Sequence, residues 1–100
     1  MRRGELRRYV LPSTPDRPRT VLILSPESIN RSDRSWVMGI ELVGQDPGDL
    51  LAIPVAGHGW AHARNAKQLY RAWLADRAIC QVDELTLTRV TGVVQIALGL

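Results

Sequence analysis

The clearest pattern along the chain is the uninterrupted apolar run Val21-Leu22-Ile23-Leu24, bounded on both sides by turn-forming residues. Consecutive apolar residues point to alternate faces of a strand, so the run predicts a central strand covered on both sides. Upstream, residues 5–11 mix charged and apolar side chains in imperfect alternation and stop at Pro12, which predicts an exposed strand. Between them PSTPDRP, residues 12–18, has no helical period and reads as an ordered or semi-rigid loop. Residues 25–34, SPESINRSDR, read as polar turns in which Asn30, Ser32 and Asp33 bond back to the main chain. Residues 36–43 predict another strand, residues 45–49 a tight turn, and residues 50–55 its hairpin partner. Pro54 lacks an N–H and belongs near an edge or a strand end.

Gly57-His58-Gly59-Trp60 interrupts this regularity. In residues 61–76 the composition favours helix, while Leu69, Arg71 and Trp73 set against Tyr70 and Ala72 permit strand pairing, so periodicity leaves both open. The last segment is clearer: Leu87, Val90, Val94, Ala97 and Leu98 recur at helical spacing, with Asp83 as N-cap. Gly92 and the threonines lower its intrinsic propensity, so packing against a sheet must hold it. The expectation is a single domain over residues 1–100, mainly β with a C-terminal helix.

Composition adjusts this picture. With 100 residues and 45% apolar content the core is small, and a chain of this size leaves enough surface exposed to favour a homodimer. The single cysteine, Cys80, excludes an internal disulfide and a thiolate zinc cluster; it reads as a small buried apolar residue in a cytoplasmic protein. No apolar stretch reaches the length of a membrane span or forms a signal-peptide core, so the expectation is a chain neither secreted nor membrane-inserted. The net charge of +3 is uneven: residues 1–34 hold eight arginines against Glu5, Asp16, Glu27 and Asp33. Twelve of the 13 cations are arginine, which suits planar phosphate recognition but equally reflects a GC-rich genome, so composition gives an acidic partner only slight support.

Three local runs then sharpen the reading. Arg2-Arg3-Gly4-Glu5-Leu6, the stretch Arg19-Thr20-Val21-Leu22-Ile23-Leu24-Ser25-Pro26 with Asn30 beyond it, and Val82-Asp83-Glu84-Leu85 leading to Ala97-Leu98-Gly99-Leu100 occur in that order. Together the chain resembles, from end to end, the MazF/PemK family of toxin–antitoxin ribonucleases. The resemblance implies a small SH3-like β-barrel with a C-terminal helix, a homodimer, and a basic groove for single-stranded RNA that an acidic antitoxin segment would occupy. Substrates would be mRNA, with tRNA or rRNA as alternatives, and no cofactor or metal is implied. The CcdB-type gyrase poisons share this barrel, so a non-enzymatic or degenerate barrel remains the alternative. The end of the chain, Gly99-Leu100, lacks the aromatic residue expected of that group.

Metal-independent RNA cleavage needs a base for the 2′-hydroxyl, an acid for the leaving 5′-oxygen, and cations at the phosphate. Arg19 matches the family's active-site arginine, with Thr20 where proline is usual; Arg17-Pro18 offers a register shifted by two. The serine or threonine that assists this arginine in the family has no match in Glu41-Leu42-Val43-Gly44. The later aspartate is also absent from Ala66-Lys67-Gln68-Leu69, where Gln68 is retained and Lys67 stands in the acidic place. His58 and His62 are the available replacements for acid–base work. As a zinc pair they lack a third ligand nearby. Arg17, Arg19, Arg64, Lys67, Gln68 and Arg71 are candidate RNA contacts, with Trp60 available to stack on a base. Trp36 reads as core, and Arg7, where the family carries an aromatic, has no assigned role.

Overall fold

The computed structural model describes residues 1–99; Leu100, the last residue of the third family-like run, lies outside the described residues. Six strands, β1 (Glu5–Tyr9), β2 (Arg19–Ile23), β3 (Trp36–Val43), β4 (Ala52–Val55), β5 (Gly59–Tyr70) and β6 (Leu74–Gln81), form one antiparallel sheet in the order β4-β5-β3-β2-β1-β6. A short helix α1 (Glu27–Asn30) follows β2, a 3-10 turn (Arg71–Trp73) joins β5 to β6, and α2 (Glu84–Leu98) ends the chain.

The two-sided character read from the Val21 run holds. Leu22 joins one apolar cluster with Leu6, Ile40, Leu42, Val55, Ala61 and Val90 of α2. Val21 and Ile23 join a second with Tyr9, Val37, Leu69 and Leu74. Strand β2 is therefore central both in sheet order and between two cores. α2 packs on β4 and β5, and its C-cap Gly99 adopts φ +74°, which permits the left-handed turn that stops the helix.

Four expectations are corrected. β1 is not exposed: it lies between β2 and β6, with Glu5 and Arg7 both buried. Burial is tolerated because Arg7 Nη2 sits 2.8 Å from Glu5 Oε2 and Arg7 Nη1 donates to the Ala75 and Asp76 carbonyls at 2.7 and 2.9 Å. This accounts for an arginine where the family carries an aromatic. The hairpin is also different. β3 pairs with β5, and β4 pairs with β5 across residues 56–58, so residues 45–49 belong to a connection rather than a hairpin turn. Twelve-residue β5 lies between β3 and β4 and is hydrogen-bonded on both sides, leaving β4, with Pro54, at the edge. On α2 the buried stripe is Val90 and Val93, flanked by half-buried Leu87 and Val94; Ala97 and Leu98 are exposed because the packed face ends at Val94. Cys80 is half-buried rather than buried.

The ambiguous residues 61–76 resolve as strand, turn and strand, with one strong irregularity. Ile40 pairs with Ala66 and Leu42 with Ala61, so two steps along β3 face five along β5, and His62–Asn65 bulge out opposite Glu41. Such a bulge bends the sheet toward closure. Closure is incomplete: β4 and β6 are the two unpaired edges, and where they approach, His58 Nε2 lies 3.6 Å from Cys80 Sγ beside the start of α2. Gly59, at φ +120°, begins β5 where a Cβ would strike the Val43 carbonyl oxygen. Among the described residues no helix is long and apolar enough to cross a membrane.

Candidate functional site

On the face of the sheet that carries Tyr9 and Val21, three charged residues converge from adjacent strands. Arg19 is in register with Tyr9, Glu41 with Val21, and Lys67 with Gly39 two positions from Glu41, so all three side chains emerge on one face. Arg19 Nη1 donates to Glu41 Oε1 at 3.1 Å and Lys67 Nζ donates to the same oxygen at 2.9 Å. The side chains of Arg19, Lys67 and Glu41 are 36, 40 and 24% exposed. Partial burial disfavours the ionised Glu41 carboxyl, but the Lys67 and Arg19 hydrogen bonds and charges outweigh it and hold the group below the ordinary carboxylate value. Two cations thus share one oxygen. Among the described residues no side chain or main-chain donor reaches the other oxygen, Oε2.

No local pattern singles out Glu41, because it lies where the resemblance leads one to look for a hydroxyl. The signal that finds it is register: an acid at the middle of β3 flanked by cations on both neighbouring strands.

A second polar cluster forms at the β5 bulge. His62, with its side chain only 5% exposed, holds Asp49 Oδ2 at 2.6 Å through Nε2, and its Nδ1 accepts the Arg64 main-chain N–H at 3.0 Å. With Nδ1 accepting, the proton resides on Nε2, so neither ring nitrogen has a free lone pair. Asp49 Oδ1 accepts the Leu51 N–H, and together with the His62 bond this lowers the Asp49 carboxyl below its ordinary value. The imidazole clips the connection before β4 onto β5. Arg64 is exposed, with Nη2 3.9 Å from Asp49.

The remaining expected contacts are dispersed. His58 lies at the seam beside Cys80, which packs on the helix-side cluster, away from the Arg19 face. Arg71 is committed to the α1 loop, donating to the Arg34, Asn30 and Ile29 carbonyls. Gln68 is exposed and, pairing with Met38, points to the opposite face from Lys67. Trp60, half-buried opposite Pro54, borders a hollow with Asp46, Asp49 and Leu50. Arg17 is exposed in the loop before β2, its N–H bonded to Thr14 O. Trp36 is half-buried with the Arg34 guanidinium 5.5 Å from its ring. Ser25 and Asn30 are structural partners: Ser25 Oγ donates to Asn30 Oδ1, and Asn30 Nδ2 donates to Ser25 O. Among the described residues no three His, Cys, Asp or Glu side chains are placed to hold a metal ion.

No family model and no curated protein sequence matches the chain. Solved structures do. An endoribonuclease from Mycobacterial species superposes with a TM-score of 0.84 at 22% identity, covering 100% of this chain and 92% of that one. An endoribonuclease in complex with its cognate antitoxin, also from Mycobacterial species, gives 0.83 at 23% identity over 100 and 96%. A MazE-MazF complex from Deinococcus radiodurans gives 0.83 at 18% identity over 100 and 96%. The chain has the MazF fold throughout its length.

Proposed function

We propose that this chain is the toxin of a type II toxin–antitoxin pair: one MazF/PemK-like domain over residues 1–100 that cleaves single-stranded RNA without a metal, acting in the cytoplasm. The observation that carries the reading is the half-exposed Arg19–Lys67 pair at the border of the second core, in a fold shared end to end with endoribonucleases. Two partly exposed cations side by side suit the phosphates of a polymer backbone passing over them. There Arg19 neutralises the charge that builds on a phosphodiester as the neighbouring 2′-oxygen attacks, and Lys67 adds a second positive point charge. An acidic antitoxin segment would compete for the same two cations. The exposed apolar residues Ile79, Leu85, Ile96 and Leu98 supply surface for a homodimer.

Incubating the purified protein with long single-stranded RNA in EDTA tests this. Fragments bearing 2′,3′-cyclic phosphate and 5′-hydroxyl ends are expected; intact RNA in the presence of folded protein overturns it. One observation favours the second reading, a degenerate or CcdB-like barrel: Glu41 occupies both cations, and β3 carries no hydroxyl side chain. That reading instead expects binding of an antitoxin peptide without RNA turnover, or inhibition of gyrase supercoiling.

A further inference from the structure

We propose that Glu41 is the general base of the cleavage reaction, its Oε2 taking the proton of the attacking 2′-hydroxyl while Arg19 and Lys67 pass from its Oε1 to the substrate phosphate. The assignment rests on the ribonuclease reading above and fills the role that the missing hydroxyl and aspartate leave open.

Three observations carry it. Glu41 lies between the two cations, 3.1 Å from Arg19 and 2.9 Å from Lys67, so a phosphate held by both cations is delivered to its side. Both contacts fall on Oε1, and among the described residues no hydrogen bond occupies Oε2, which is the oxygen that accepts from a 2′-hydroxyl. The imidazoles that could otherwise serve are placed elsewhere: His62 has both nitrogens committed, and His58 lies at the seam on the helix side.

In the free protein the two cations keep Glu41 ionised and weakly basic. Binding of RNA reverses that balance, because the phosphate draws the cations away and places a negative charge beside the carboxylate; both changes raise its proton affinity as the 2′-hydroxyl arrives. The step then balances. Glu41 Oε2 accepts the proton, O2′ forms a bond to phosphorus, and the P–O5′ bond breaks with its electron pair going to O5′. O5′ takes a proton from the Lys67 ammonium, giving the cyclic phosphate and a free 5′-hydroxyl. Protonated Glu41 returns its proton to the Lys67 amine beside it, restoring both groups.

The test compares wild type, Glu41→Gln and Glu41→Asp on a long single-stranded RNA in EDTA. Cleavage rates, RNA affinity and thermal melting are measured for each. Glu41→Gln is expected to lower the cleavage rate by about 100-fold or more. Its RNA affinity should be equal or higher, since a negative charge leaves the face, and Glu41→Asp should recover part of the rate. In the wild type, the acid limb of kcat should lie at higher pH than that of kcat/KM, the latter falling below the ordinary carboxylate value of 4.5. Wild-type cleavage with Glu41→Gln cutting equally well overturns the base assignment alone. Wild-type protein that binds RNA and never cuts it overturns the ribonuclease reading and this assignment with it. If the variants melt early, the wild-type profile decides: a rate flat through the carboxylate range overturns the proposal, and a single-group limb there supports it.

Discussion

Two charged clusters lie a few residues apart along β5, one at the bulge and one just beyond it, and they use the same chemistry to opposite ends. At the bulge, His62, Asp49 and the Arg64 and Leu51 amides satisfy one another, and the imidazole is almost wholly enclosed. On the Arg19 face, Arg19 and Lys67 both bond one oxygen of Glu41, and among the described residues no hydrogen-bond donor holds the other. Mutual bonding within the protein makes a clamp; a carboxylate oxygen left accessible makes a site. The residues most prominent in the sequence, the two histidines, fall on the saturated or peripheral side of this division.

The sharpest way to test the contrast is Arg19→Ala. Loss of a charge-stabilising donor costs about 100- to 1000-fold in rate. The ion pair it removes is substantially exposed, so stability should change by no more than about 1 kcal/mol. Steady-state cleavage paired with urea unfolding checks both, and unchanged cleavage removes Arg19 from the site. His62→Ala should show the reverse: destabilisation of about 1–3 kcal/mol as Asp49 and the Arg64 amide lose their buried partner, with cleavage per folded molecule largely retained. A rate loss as deep as that of Arg19→Ala would place His62 in the chemistry.

Acid should then weaken both clusters. The Asp49 and Glu41 carboxyls lie below their ordinary values of 3.8 and 4.5, so each contributes stability that is present above those values and lost as pH falls through the depressed folded ones. Urea midpoints should therefore fall from pH 5 downward. Replacing Glu41 by Gln or Asp49 by Asn should each flatten part of that slope. The smallest effect is expected for His58→Ala, an exposed side chain at the seam: stability within about 0.5 kcal/mol of wild type and unaltered cleavage. A large rate loss would move the proton chemistry to the β4–β6 seam.

Local pattern carried much of the fold. The Val21 run identified a strand buried on both faces, the span 36–43 matched β3, and Asp83 stands at the start of α2, where its carboxylate accepts from the Thr86 hydroxyl rather than from a backbone amide. The misreadings concern long-range pairing. Nothing near residues 45–49 shows that β5 will lie between β3 and β4, and although Glu5 stands two residues from Arg7, nothing local shows that β6 will cover the pair and supply the Ala75 and Asp76 carbonyls. The site was half legible for the same reason. Arg19 stood out beside a strong strand, but Glu41 meets Lys67 only after a connection, a hairpin and a three-residue excess in β5 have set the register. The acid and the absent hydroxyl belong to the same stretch, so the family pattern points past the residue that is there.

The placement of β2 between two apolar clusters also bears on how the molecule comes apart. Leu22 serves one core while Val21 and Ile23 serve the other, so neither can loosen without withdrawing support from its neighbour. Opening should be all-or-none, with the β2 amides exchanging with solvent only at the rate of global unfolding. A protease would then find no half-open intermediate to nick, and the lifetime of the unbound protein would track its overall stability rather than the mobility of any loop.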